Sequence, residues 1–420
     1  MQTEKVMPDQ ARLSSFKPRV ELAHILRTHG QTFNNHYPVN PQQQRAIRDI
    51  TNCRTPSLGG HMETCENDCG FLRLSFNSCR NRHCPKCQSL QKARWLLQRS
   101  EKLLPTNYFH LVVTMPHELN PLVLRNPRFL YDTFFQAASH ALLKLASGWH
   151  RLQAQPGFTA ILHTWNQDLR HHVHLHIVVT AGGLCLTGKR WINAKNNFLV
   201  PVKALSKIIR GKFLEALQLG FEQGKLLFSG NIEYLKDPFA FNSLIRKLSR
   251  SNWVARIKPP FSDPQHVFSY LGHYTHRVAI SNQRLLAFDG HTVTFRARNN
   301  LEPGTYRIVS LPASEFIRRF LLHVLPHGFV RIRHFGLLAP RNTNTKLETA
   351  RHLIQPSLRP PPIPPAESEP ISWQKLLLKL TGLDITICPN CGAKLLRKPL
   401  PLHLPLSTLL STAFAAHDTS

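Results

Sequence analysis

The chain has 420 residues and a formal net charge of +29, from 53 Lys and Arg against 24 Asp and Glu. A hydrophobic content of 42% is enough to bury a core, which excludes wholesale disorder. No apolar run reaches the roughly 18 residues of a spanning helix, and so large a positive charge points to a polyanion, nucleic acid first.

Met1 to Pro18 lacks the apolar stretch of a signal peptide. Residues 18–52 carry apolar positions at helical spacing, including Val20, Leu22, Ile25, Leu26, Ala46, Ile47 and Ile50. A segment dense in cysteine and histidine follows. Lys92 to Leu104 reads as a helix, Tyr108 to Met115 as a strand stopped by Pro116, and 121–149 as helix. Phe158–Trp165 and His172–Thr180 read as a strand pair around a polar turn at Asn166 to Asp168. Residues 202–222 and Val267 to Val278 read as helices, and 290–312 as strands. Gln355–Pro370 is proline-rich, as a linker or extended arm would be. The last 20 residues are apolar without pattern, and order is not expected there.

Six of the nine cysteines lie between Cys53 and Cys87, and two form Cys388-Pro-Asn-Cys391. Such clustering without an export signal reads as metal thiolate in a reducing cytoplasm, not as a disulfide framework. Cys53, His61, Cys65, Cys69, Cys79, His83, Cys84 and Cys87 are enough ligands for one or two tetrahedral zinc sites. The expected pairing joins Cys65 and Cys69 with Cys84 and Cys87, leaving Cys53, His61, Cys79 and His83 for an interleaved second site. The Cys388/Cys391 pair is half a site, needing His352, His403 or another chain.

Alternation along the strand at 172–180 puts His172, His174 and His176 on one face and Val173, Leu175 and Ile177 on the other. Two imidazoles separated by one residue can chelate a divalent ion. His174 and His176 are preferred, although His172 and His174 fit the same pattern. Gln167 and His163 are the candidate third ligands. Tyr270 and Tyr274, four apart on a helix, share a face; they can present two hydroxyls to one site or belong to an ordinary apolar face. Gly183 to Arg190 nearly matches a phosphate-binding loop. Its last position is Arg190 where the motif needs a hydroxyl, so a hairpin turn is the better reading.

Basic residues crowd Arg80 to Arg99 and 295–341. Arg80, Arg82, Arg318, Arg319, Arg331 and Arg333 are candidate DNA-backbone contacts. Arg277 could stabilise the charge developing on a phosphorane.

With a zinc segment, an H-x-H strand and a later Y-x-x-x-Y helix in one basic chain, the sequence resembles the two-tyrosine HUH transposases of the insertion-sequence-91 family. Matching stretches include Leu58-Gly-Gly-His61, Asn77 to Gln88, Val112 to Leu119, His163-Thr-Trp165, Tyr270 to Asn282 and Glu315 to Arg319, continuing to His334. The likeness covers about residues 45–340. It implies an α+β fold: an HUH endonuclease domain, an antiparallel sheet flanked by helices, preceded by a small zinc-binding module. The implied layout is a helical and zinc-binding region over 1–100, the nuclease over 101–290, a basic extension over 291–345, a linker over 346–372 and a tail over 373–420. It implies Mg²⁺ or Mn²⁺ on His174 and His176, and Tyr270 and Tyr274 as nucleophiles that nick and rejoin single-stranded DNA through 5′-phosphotyrosine during rolling-circle transposition. Transposon ends and target DNA are the implied partners, with host replication or helicase factors opening the duplex. The implied setting is a bacterial cytoplasm, on the nucleoid and not in a membrane. A rolling-circle replication initiator shares this chemistry, and a non-catalytic zinc-dependent DNA-binding protein is the rival outside enzymes.

Overall fold

Prolines set the first breaks in the chain. The computed structural model describes residues 20–400 apart from 88, 101, 149–151, 196–197, 262–271, 273–278, 300–301, 303 and 356–371. The helical stretch expected over 18–52 is two helices, α1 (Leu22–His36) and α2 (Pro41–Thr51), separated around Pro38. Asn40 caps α2: its side chain accepts the Gln43 N–H at 3.0 Å, and Gln43 Oε1 accepts the Asn40 N–H at 2.9 Å. A hairpin of β1 (Gly60–Cys65) and β2 (Leu72–Phe76) leads into α3 (Ser89–Ser100).

β3 (Tyr108–Thr114) comes next, followed by α4 (Asn120–Arg125) and α5 (Pro127–Ser147). The single helix expected over 121–149 is divided at Asn126, because the ring of Pro127 disfavours helical backbone in the residue before it. β4 (Ala154–Gln155), β5 (Gly157–Trp165), β6 (His171–Thr180), β7 (Gly182–Cys185) and β8 (Trp191–Asn193) follow. α6 (Val202–Glu222) has the expected ends. Sequence patterning did not signal the next two elements, α7 (Pro238–Arg250) and β9 (Val254–Phe261). The chain continues through β10 (Leu285–Phe288), β11 (Thr292–Arg298), β12 (Tyr306–Pro312), α8 (Ala313–Leu321), β13 (Ile332–Gly336), α9 (Lys346–Ile354), α10 (Trp373–Thr381) and β14 (Leu395–Leu400).

The fold is α+β, and the described strand pairs are antiparallel. The central sheet has the order β13-β5-β6-β3-β9. One face carries Leu111, Val113, Ala160, Leu162, Val173, Leu175 and Ile177, and it buries them under Phe134 of α5, Phe213 of α6 and Phe241 of α7. Tyr108, Ile161 and Val178 lie on the opposite face and pack on Trp95 and Leu96 of α3. The histidines share this second face, which the large helices leave uncovered.

A second core joins the two flanks of the sequence. Leu22, Ile25 and Leu26 of α1 pack with Phe295 of β11 and with Phe316 and Phe320 of α8, beside Cys53, Cys84 and Cys87. The Leu22 N–H donates to Asn282 Oδ1 at 3.1 Å, and Gln43 donates to the Leu321 carbonyl at 3.0 Å. The N-terminal region and the basic extension therefore share one core. The C-terminal segment also folds back: β14 pairs with β1 in the sheet β14-β1-β2. The expected helix at Val267 to Val278 lies outside the described residues except for Gly272, as do almost all of the proline-rich stretch and the last 20 residues. Among the described residues, no helix is long and apolar enough to cross a membrane.

Candidate metal centres and nucleic-acid interface

The strand register sets the imidazole cluster. His174 of β6 stands opposite His163 of β5, and His176 stands opposite Ile161 on one side and Val112 on the other. His163, His174 and His176 thus converge, each offering a ring nitrogen within 4.8 Å of the others. His172 stays outside the cluster, and its carbonyl accepts a hydrogen bond from His174 Nδ1 at 2.9 Å. A carbonyl can only accept, so His174 carries its proton on Nδ1 and turns a bare Nε2 inward. That Nε2 lies 3.1 Å from His176 Nε2. Beneath them, His110 Nε2 lies 3.0 Å from His176 Nδ1. The His176 tautomer that donates Nδ1–H to His110 leaves two bare Nε2 atoms facing each other, an arrangement that a cation between them relieves. Metal-binding histidines have this kind of support behind the ring.

Burial favours the neutral form of His110, His174 and His176, the form that binds metal. Desolvation pushes His110 down to about 3 and His174 to about 4, and the His172 carbonyl opposes it in the second case. His176 is pushed well below its ordinary value, first by desolvation and then by His163, His174 and His110. The donor set therefore fits a divalent cation. His163 lies within reach as a third donor. Gln167 instead turns its side-chain oxygen toward the Arg298 N–H at 3.5 Å, and its carbonyl accepts from Arg284 at 2.5 Å.

Two cations on this face had escaped sequence reading. Arg256 stands opposite Val112 and Lys258 opposite His110 in the β3–β9 pairing, and both are exposed. Tyr270, Tyr274 and Arg277 lie outside the described residues. Gly272, between the tyrosines, is buried against α3; a Cβ there would meet Lys92 Cε at 3.0 Å and Leu96 Cδ1 at 3.1 Å.

The cysteines are grouped differently from the expected pairing. Cys84 and Cys87 join Cys53 and Cys79, with the sulfurs all within 4.8 Å of one another and Cys79 3.7 Å from Cys87. Cys65 and Cys69 meet Cys388 and Cys391 instead. The two histidines expected in the interleaved site are occupied elsewhere. His83 is buried, donates through Nδ1 to Asn81 at 3.0 Å and accepts the Leu325 N–H on Nε2 at 3.4 Å. Desolvation, with Arg331 and Arg82 nearby, lowers it to about 3. His61 Nε2 accepts from Arg397. Four thiolates in one closed set suit structural zinc.

The expected DNA-contacting arginines divide into two groups. Arg80 and Arg318 are exposed, Arg318 while it pairs with Glu315 at 2.6 and 2.9 Å. Arg331 is only 8% exposed, and desolvation lowers it to about 10. Arg82 donates to the Phe329 carbonyl at 2.6 Å. Arg319 bonds Glu315 at 2.6 Å and the Asp168 carbonyl at 3.1 Å. Arg333 bonds Asp132 and lies 4.3 Å over the Phe135 ring. Arg331 is buried, which corrects its expected place on a free DNA-binding face, and Arg82, Arg319 and Arg333 are half-buried with their guanidinium groups bonded within the protein.

Residues 25–115 match the family model described as "Transposase zinc-binding domain", and residues 157–346 the one described as "Putative transposase". "Putative transposase y4qJ" of Sinorhizobium fredii (strain NBRC 101917 / NGR234) is 41% identical over 372 residues, 88% of this chain and 92% of the relative. "Transposase for insertion sequence element IS801" of Pseudomonas savastanoi pv. phaseolicola is 26% identical over 345 residues, 82% of this chain and 80% of the relative. No solved structure matches the chain. The extent and identity of these matches place the chain in the insertion-sequence-91 family of transposases, with an N-terminal zinc-binding domain.

Proposed function

We propose that this transposase is an HUH-type enzyme that nicks and rejoins single-stranded DNA at insertion-sequence ends and targets by a rolling-circle route. The observation that carries the reading is the cluster of His163, His174 and His176 on the face of an antiparallel sheet opposite its large helices. His163, His174 and His176 would hold Mg²⁺ or Mn²⁺, and His110 would orient His176 from below. The ion would supply Lewis-acid polarisation of the scissile phosphate.

Tyr270 and Tyr274 are the proposed nucleophiles. A tyrosine oxygen attacks phosphorus and its proton leaves to solvent or a nearby base. The bond from phosphorus to the 3′ oxygen breaks, giving a 5′-phosphotyrosine and a free 3′-OH. Rejoining reverses these bonds and needs no ATP. The second tyrosine holds a second strand during transfer. Support for bringing the tyrosines to the cluster comes from Gly272, which packs on α3, and from Leu96 of α3, which packs on the histidine face. Arg256 and Lys258 would meet the backbone of the bound strand, and exposed Arg80 and Arg318 would extend the basic surface. We assign duplex opening to host replication or helicase factors, and the setting to a reducing cytoplasm, which suits nine cysteines free of disulfides.

The test mixes the full chain with labelled single-stranded DNA of the element's ends and Mg²⁺ or Mn²⁺. A denaturation-resistant adduct is expected, and it should vanish in Tyr270→Phe/Tyr274→Phe. An adduct that persists in this double variant removes the tyrosines from the mechanism. DNA binding without any adduct, in metal-loaded chain with its correct end, leaves a binding protein.

A further inference from the structure

We propose a second zinc site that forms only when the two ends of the chain meet, from Cys65, Cys69, Cys388 and Cys391. It would clasp the C-terminal arm onto the N-terminal module. The four sulfurs lie within 4.8 Å of one another, with Cys65 to Cys391 at 3.3 Å and Cys69 to Cys388 at 3.4 Å. Four thiolates about 2.3 Å from one ion stand about 3.8 Å apart, so the spacing suits a shared ion. It is too long for the roughly 2.05 Å of disulfides.

Each pair sits on a tight turn of the kind that aims two sulfurs at one point. Asp68 and Gly70 take positive φ beside Cys69, and Gly392 does so beside Cys391. The Gly392 N–H donates to the Cys388 carbonyl at 2.9 Å, and the Cys388 N–H to the Ala393 carbonyl at 2.7 Å. Strand pairing brings the turns together. β14 runs antiparallel to β1 from Gly60 opposite Leu400 to Cys65 opposite Leu395. Glu63 is bonded by Arg73 at 2.6 Å, and Arg73 also donates to the Ile385 carbonyl at 2.9 Å.

The apolar contact behind this junction is small. Cys65, Cys388 and Leu395 are buried there, with only Phe71 and Ala393 packed against them. A cluster of this size adds little apolar burial to the strand pairing and the helix contact that hold the arm, so a shared ion would strengthen the junction substantially. The arm also carries α10, which packs against α3, the helix that meets Gly272. Closing the clasp therefore fastens the arm to the helix that meets Gly272. The proposal does not depend on the nuclease chemistry.

The test is the zinc content of the purified full chain by elemental mass spectrometry, expected at about two ions per chain. Cys388→Ser/Cys391→Ser should hold about one, and Cys391→His, which restores a ligand, should recover the second. A protease site inserted between residues 356 and 371 gives a second readout on intact ligands. After cutting, the C-terminal piece should stay with the rest of the chain on gel filtration. In the double variant the piece should leave while the remainder keeps its zinc. Equal zinc in the wild type and the double variant overturns the proposal, as does a piece that remains bound without Cys388 and Cys391.

Discussion

The imidazole cluster and the thiol clusters are built on opposite plans. The three histidines stand on adjacent strands of one rigid sheet, and their convergence follows from register alone. The cysteines stand on turns, and each set closes only when separate pieces of chain arrive together. Cys53 ends the region of α2, whereas Cys79, Cys84 and Cys87 come from beyond the β1–β2 hairpin. The second set spans from Cys65 to Cys391. Strand pairing alone sets the histidine ligands, whereas the cysteine sets would gain their order from a shared ion.

The sharpest way to break this comparison is to remove one ligand from each kind of site. Cys84 is buried in the core shared by α1, β11 and α8. Structural zinc is worth about 10 kcal/mol or more to small modules. Cys84→Ser should therefore lose zinc and most of the cooperative unfolding of that region, seen as insoluble protein or a collapsed melting transition. His176→Ala should melt within a few degrees of the wild type while adduct formation falls at least about 100-fold. Comparable melting losses in the two variants would end the distinction.

Within the imidazole site, His110 is placed to position His176 and not to touch the ion. Support of this kind alters metal affinity by about 10- to 100-fold. His110→Phe should raise the Mn²⁺ concentration needed for half-maximal adduct by about tenfold, with activity recovered at high Mn²⁺. A loss that excess metal cannot recover would show that His110 does something else.

The same contrast explains what was legible in the sequence. The period of two over His172 to Thr180 is enough to assign each histidine to a face, and α6 has the ends its apolar pattern predicts. His110 was hidden because it sits singly in an apolar strand, and its relation to His176 is a matter of register. β9 carries Pro259 and Pro260, residues that ordinarily break a strand; an edge strand tolerates proline since it has one unpaired side. The cysteine pairing was misread for a different reason. Sequence proximity suggested that Cys65 and Cys69 belong with Cys84 and Cys87, whereas the fold supplies Cys388 and Cys391 through the β1–β14 pairing. Arg331 shows the limit of charge counting, since a cationic run gives no sign of which guanidinium groups are buried.

Acid should expose another buried imidazole, away from the metal cluster. His323 donates through Nε2 to the Leu169 carbonyl at 3.0 Å and receives the Thr164 hydroxyl on Nδ1 at 3.2 Å. Desolvation pushes it down to about 3; the Leu169 carbonyl opposes the shift and His171 adds to it. Its folded value lies below the ordinary 6.5, so its stabilising contribution is complete above pH 6.5 and is lost as pH falls toward 3. The slope for one such proton is about 1.4 kcal/mol per pH unit, or about 2 kcal/mol between pH 6.5 and 5. Urea unfolding of His323→Phe should show lower stability at pH 7.5 but a shallower loss on acidification. Parallel curves for variant and wild type would remove His323 from the acid response.

The smallest effect is expected where a local motif misleads. Gly183 to Arg190 nearly spells a phosphate loop, and such a loop works by presenting backbone N–H groups at the start of a helix. Here the Gly188 N–H donates to the Cys185 carbonyl at 2.8 Å, and the Cys185 N–H to the Arg190 carbonyl at 2.9 Å. These bonds close a hairpin loop, with Gly188 at φ 75°, and β8 follows it in place of a helix. Lys189 is exposed on that loop. Lys189→Ala should shift stability by no more than about 0.5 kcal/mol, as substitutions at unremarkable surface sites do. Adduct yield should remain within about twofold, and ATP should change neither variant nor wild type. An ATP-dependent melting shift that Lys189→Ala abolishes would give the loop a role in nucleotide binding. It would also show that here, unlike at the cysteines, the local pattern had been the better guide.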